Sequence, residues 1–244
     1  MKENPSMPDK ELSQRIEEVR KRVAFAAERS GREADAVSIM AVTKTVPAQR
    51  VNQAIDCGLK LLGENRVQEY LEKLPLYHKE DCSVHFIGSL QTNKVKYIVD
   101  KVDMIESVNS LRLALEIEKR AAAAQKVMDF LLEVNIGEEA TKSGVLPQDL
   151  AELAKEVSQL PHLRFSGLMA IPPAGGDASK KEYYFSKMYQ LFLDMKQKKL
   201  DNSDVRFLSM GMSNDFESAI LCGSNLVRLG TILFGKRNYR EEQT

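Results

Sequence analysis

The sequence has little from which covalent or metal crosslinks could be built: three cysteines and three histidines occur in 244 residues. Cys57, Cys82 and Cys222 are far apart, odd in number and outside CxxC spacing. That excludes a disulfide framework and a zinc site, and reads as buried thiols in a reducing compartment. His85 near a strand start and His162 in a Pro-His-Leu turn do not form a metal pair or a catalytic histidine. An excess of charge is also lacking. With 35 basic and 35 acidic residues the formal net charge is +0, so no global field draws the chain to nucleic acid or an anionic membrane. No apolar stretch is long enough to span a bilayer, and Met1-Lys2-Glu3-Asn4-Pro5 leads into a charged helix without a signal-type apolar core. A soluble cytoplasmic protein is the expectation.

What is present is 43% hydrophobic residues, enough for one sizeable core. Over 9–32, Leu12, Ile16, Val19, Val23 and Ala26 recur at helical spacing between charges and predict an amphipathic helix laid on that core. Short apolar runs then alternate with helical patterns. The runs are 37–43, 59–63, 83–88, 104–107, 127–135, 164–170, 205–209 and 225–230; the helical stretches include 49–57, 66–74, 111–124, 148–160 and 182–199. Eight strand-helix units predict an α/β protein with parallel strands, a single (β/α)8 TIM barrel over 37–239 with an extra N-terminal helix, all in one domain, 1–244. A doubly wound open sheet is the competing architecture, but no GxGxxG follows the first strand. The Pro172-Pro173-Ala174-Gly175-Gly176-Asp177 stretch is a long loop placed to cover the barrel top.

Barrel sites form at the carboxyl ends of the strands, so the informative residues follow each apolar run. Lys44 ends the first run and precedes Thr45, Val46 and Pro47, which opens the next helix. An amine held there beside apolar walls can attack a carbonyl; the alternative is a solvated lysine at a strand-to-helix turn. Glu64 and Asn65 follow the second strand, Met169 ends the sixth, and Met210-Gly211-Met212-Ser213-Asn214 and Gly230-Thr231 follow the seventh and eighth. These last two loops suit a phosphate, with Ser213 and Asn214 able to cap a helix over 215–221; an ordinary cap and an ordinary turn are the competing reading. Arg228 stands alone in an apolar strand and needs either a carboxylate partner or a ligand atom. Amine, phosphate cradle and buried arginine together suit a phosphorylated aldehyde such as pyridoxal 5′-phosphate. Lys142 in a loop after the fifth strand is a weaker second amine, more simply a solvated lysine.

The stretches AVTK at 41–44, GENRVQE at 63–69, HFIGSLQTNK at 85–94, GLMAIP at 167–172, SMGMSNDF at 209–216 and VRLGTILFG at 227–235 resemble those of the pyridoxal phosphate homeostasis proteins, the YggS/PROSC family. The match runs from Leu12 to Tyr239. The resemblance implies a barrel related to the amino-terminal domain of alanine racemases, with Lys44 as the Schiff-base lysine. It also implies Ser213, Gly230 and Thr231 at the phosphate, Arg228 against the pyridine nitrogen, and Asn65 and Met169 near the ring. Thr43, where many members have serine, and Asn214 are departures that leave this set intact.

Arginine against the pyridine nitrogen disfavours a second positive charge there and makes the ring a weak electron sink. That opposes transamination; racemisation could survive it but needs an acid/base group on each face, which in two-domain racemases comes partly from a second domain expected to be absent here. The expected function is therefore storage, delivery or buffering of pyridoxal phosphate by a monomer without robust catalysis, with apo enzymes as recipients and no nucleic-acid or membrane partner. A single-domain racemase or lyase is the alternative, and an aldolase using Lys44 on a sugar phosphate the third reading.

Overall fold

The computed structural model describes residues 9–235 apart from 79, 81, 174 and 176. Residues 236–239 of the expected barrel, and Ala174 and Gly176 of the loop expected over its top, lie outside the described residues. The strands are β1 (Ser38–Val42), β2 (Leu61–Glu64), β3 (Ser83–Phe86), β4 (Met104–Val108), β5 (Met128–Val134), β6 (Leu163–Ala170), β7 (Ser203–Met212) and β8 (Leu226–Leu229). They form a closed barrel in chain order, and the closing pair β1–β8 is parallel with Met40 opposite Arg228. The helices are α1 (Lys10–Arg29), α2 (Ala48–Asp56), α3 (Val67–Lys73), α4 (Leu111–Ala123), α5 (Leu150–Val157), α6 (Ala178–Gln197), α7 (Phe216–Leu221) and α8 (Thr231–Phe234). The link from β3 to β4 holds only a 3-10 turn, Thr92–Tyr97.

Both faces of the strands are covered over most of their length, which is why they read as largely apolar runs. Ala41, Leu62, Phe86, Ile105, Phe130, Phe165, Leu168, Leu208 and Val227 join the main core with the helices. Met104, Leu131 and Met169, with Phe207 against them, form a separate cluster on the other face, inside the barrel. The N-terminal helix is capped by Asp9, whose carboxylate accepts the Glu11 N–H at 3.0 Å. It buries Leu12, Ile16, Val19, Val23, Ala26 and Ala27. Each of the larger side chains contributes about 1.5–3 kcal/mol by leaving water. This helix packs on α7 and α8, beside the β8–β1 closure, and the Arg22 fork grips Glu217 at 2.9–3.0 Å.

Several boundaries shift by one to four residues from the sequence reading, and two of the shifts have a local cause. Helix α6 begins at Ala178 because Asp177 caps it, accepting the Lys180 N–H at 2.9 Å, whereas the apolar pattern suggests 182. Strand β7 runs on through Met212, so Met210, Gly211 and Met212 belong to the strand. The register against β8 shifts between Ser209 and Met212, and Gly211 sits in that irregularity at φ +94. A Cβ there would lie 2.6 Å from Ala219 Cβ, so the glycine also lets α7 pack down on the strand.

Candidate functional site

Lys44 lies two residues beyond the end of β1, half-buried at the carboxyl edge of the barrel. It continues the alternation of Met40 and Val42; Met40 Sδ occupies the space beside Gly63, and Val42 borders Gly230. Thr43 takes the opposite direction. Fully buried, its hydroxyl donates to Glu64 Oε1 at 2.7 Å, and the same carboxylate oxygen accepts the Tyr77 hydroxyl at 2.5 Å. The other Glu64 oxygen is buried without a hydrogen-bond partner, and burial pushes the carboxyl above its ordinary range. Lys73 Nζ donates to the Thr43 carbonyl at 2.9 Å, and Glu69 accepts the Thr45 N–H.

The loops after β7 and β8 meet through Ser213. Ser213 does not cap α7. The carboxylate of Asp215 accepts the Met212 N–H at 2.8 Å and closes that turn, α7 starts without a side-chain cap, and Asn214 is exposed. The closed turn leaves Ser213 Oγ to accept the N–H groups of Gly230 and Ile232, each at 3.3 Å, tying the β7 loop to the first turn of α8. Gly230 has φ −119, and a Cβ on it would stand 3.5 Å from Val42, an ordinary contact. Neither backbone nor packing demands glycine there, so its missing side chain leaves a cradle that a ligand could enter. Thr231 is exposed beside it.

Arg228 is 4% exposed. It donates to the carbonyl and hydroxyl of Ser209 at 2.8 and 2.7 Å and to the Ala170 carbonyl at 2.9 Å. Guanidinium carries five N–H donors, so these three bonds leave capacity for a ligand. Burial lowers its pKa, while Glu106, Glu133 and Asp215 favour its charge. The sequence reading missed the network behind it. Ser209 Oγ donates to Glu106 Oε2 at 2.6 Å, and Glu106 Oε1 meets His85 Nδ1 at 2.7 Å, all buried. Glu133, a further buried carboxylate, accepts the Ser143 hydroxyl at 2.7 Å; its other oxygen has no partner, and burial raises its pKa. Glu106 and Glu133 carry the signal that exposed Arg228, a charge inside an apolar strand.

Asn65 follows β2, and its side-chain oxygen is buried with no partner within the protein. Met169 is fully buried with Met104, Leu131 and Phe207, which makes it part of the barrel filling. Strand register places it beside Glu133 and Ser209. Lys142 is committed to Glu139 of its own loop at 2.5 Å. Thus β1, β7 and β8 bring Lys44, Ser213, Arg228, Gly230 and Thr231 to one sector of the barrel. Among the described residues no helix is long and apolar enough to cross a membrane.

Residues 15–238 match the family model of the alanine racemase N-terminal domain. The chain is 44% identical over 226 residues to the pyridoxal phosphate homeostasis protein of Aquifex aeolicus, covering 93% of this chain and 98% of that one. Among solved structures, a protein of Bifidobacterium adolescentis superposes with a TM-score of 0.88 at 35% identity, covering 92% of this chain and 94% of that one. PipY of Synechococcus elongatus with PLP bound superposes with a TM-score of 0.80 at 30% identity, covering 92% and 100%.

Proposed function

The chain belongs to the pyridoxal phosphate homeostasis protein family, built on the alanine racemase N-terminal domain, and from that premise we propose that it binds pyridoxal 5′-phosphate as a Schiff base on Lys44 and stores or delivers it. The observation that carries this reading is the adjacency across the β1–β8 closure. Val42, two residues before Lys44, lies 3.5 Å from where a Gly230 Cβ would stand, and Ser213 bridges Gly230 and Ile232. An amine and an anion cradle therefore share one rim.

The residues fit the group. When bound, pyridoxal phosphate supplies an aldehyde that condenses with a primary amine and releases water. Lys44 would be the amine, and the Ser213 and Thr231 hydroxyls beside Gly230 would hold the phosphate. Arg228, fixed by Ser209 and Ala170, has donors left with which it would meet the ring nitrogen and keep a second positive charge off it. Asn65 offers its unpartnered oxygen to the ring's surroundings, and Met169 forms the apolar floor.

With the nitrogen held neutral the ring is a weak electron sink, which opposes transaminase chemistry and favours binding and exchange. The same reading has a single-domain monomer acting in the cytoplasm with apo enzymes as recipients. Incubating the loaded protein with an apo-transaminase restores transaminase activity if this is right. Amino-acid turnover by the protein alone, with no transfer, identifies a single-domain enzyme instead.

A further inference from the structure

Thr45, next to Lys44, lies in the left-handed region at φ +60. For a β-branched residue this is an outlier, sustained only where surrounding contacts over-determine it. The Val46 N–H donates to the Thr43 carbonyl at 3.0 Å and closes a turn with Thr45 at its third position, and further contacts come from α3. Glu69 accepts the Thr45 N–H, Lys73 donates to the Thr43 carbonyl at 2.9 Å, and the two side chains pair with each other one helical turn apart. Their side chains are 19% and 13% exposed, so the pair is largely shielded from water. The Thr45 hydroxyl turns back to the Lys44 carbonyl at 2.6 Å, and Thr43 is anchored beneath by Glu64. One ion pair from a neighbouring element thus grips the backbone on both sides of Lys44.

We propose that Glu69 and Lys73 are positioning residues that hold Thr45 in its strained conformation and thereby aim the Lys44 side chain into the barrel mouth. The proposal rests on the reading of Lys44 as the attachment residue. Released from the clamp, Thr45 returns to an ordinary φ, and the backbone rotation beside Lys44 turns its stem away from the rim shared with Gly230.

Glycine adopts φ +60 without strain, which supplies a test that a merely structural role would not satisfy. The rate of borohydride-trapped pyridoxyl labelling at Lys44 is measured in wild type, Glu69→Ala, Thr45→Gly and the double variant, with melting temperatures recorded alongside. Glu69→Ala slows labelling on the order of 10-fold, the factor for losing one hydrogen bond to a charged acceptor. Adding Thr45→Gly brings the rate back close to wild type without restoring any lost melting temperature. Wild-type labelling in Glu69→Ala, or a double variant as slow as the single, overturns the proposal. Exchange of the Thr45 amide in the cofactor-free protein gives a readout independent of Lys44 chemistry: it accelerates on the order of 10-fold in Glu69→Ala. Unchanged exchange also overturns the clamp. Absence of labelling at Lys44 in wild type counts against the attachment reading, and the amide exchange then decides the clamp alone.

Discussion

Replacing Ser213 with alanine separates a phosphate contact from a structural one. In the protein itself the hydroxyl accepts two N–H groups, from Gly230 and Ile232, both at 3.3 Å. That is beyond the usual range for N–H···O bonds, so each is worth about 0.5 kcal/mol and the cofactor-free protein loses about 1 kcal/mol. For a chain of this size that lowers the melting temperature by about 2–4 °C. The hydroxyl proton is the larger matter. A hydrogen bond donated to a charged phosphate contributes about 1.5–3 kcal/mol, so affinity for pyridoxal phosphate falls roughly 10- to 100-fold. Parallel absorbance titrations with pyridoxal phosphate and with pyridoxal, which lacks the phosphate, measure the difference. Pyridoxal binding is expected to be weak and nearly unaffected by the substitution. If its affinity falls as much as that of the phosphate ester, Ser213 is not at the phosphate and the reasoning fails.

Ser209→Ala leaves Glu106 and Arg228 each short of a partner inside the barrel, and is expected to cost about 1–3 kcal/mol in chemical denaturation; an unchanged midpoint contradicts the network. Glu64→Gln tests the buried carboxyl behind Lys44. Its pKa is raised in the fold, so its contribution to stability is present below the unfolded carboxylate value of about 4.3 and is lost as pH rises through the folded value. The stability of Glu64→Gln relative to wild type therefore increases from acid to neutral pH in urea unfolding, and a pH-independent difference refutes the assignment. The isolated protein is expected to show little transaminase turnover against a typical ~10 s⁻¹, since Arg228 keeps the ring a weak electron sink; rapid amino-acid turnover abolished by Lys44→Ala contradicts the carrier reading.

The barrel was legible because the parallel strands are buried on both faces over most of their length and leave short apolar runs, as at 39–42 and 130–132. Lys44 and Arg228 stood out for the same reason, as charges at the end of or within such runs. The β7 boundary was not legible: Gly211 reads as a turn residue, yet its positive φ serves a strand irregularity and the seat of α7. Nor was the true role of Ser213. A serine before a short helix suggests a cap, and only the long-range meeting with Gly230 and Ile232 redirects it. The His85–Glu106–Ser209–Arg228 network joins four strands, and such separations leave no local spacing to read. The clamp on Thr45 was hidden likewise, because Glu69 and Lys73 at i and i+4 look like an ordinary surface pair on a helix.

The central claim is that Lys44 holds the cofactor. Loading the protein with pyridoxal phosphate, reducing it with borohydride and mapping the pyridoxyl mass by peptide mass spectrometry tests it most directly. The predicted result is modification at Lys44 that disappears in Lys44→Ala, while that variant keeps the wild-type circular dichroism spectrum. A pyridoxyl group on Lys142 with none on Lys44, or no trapped adduct at all, contradicts the account.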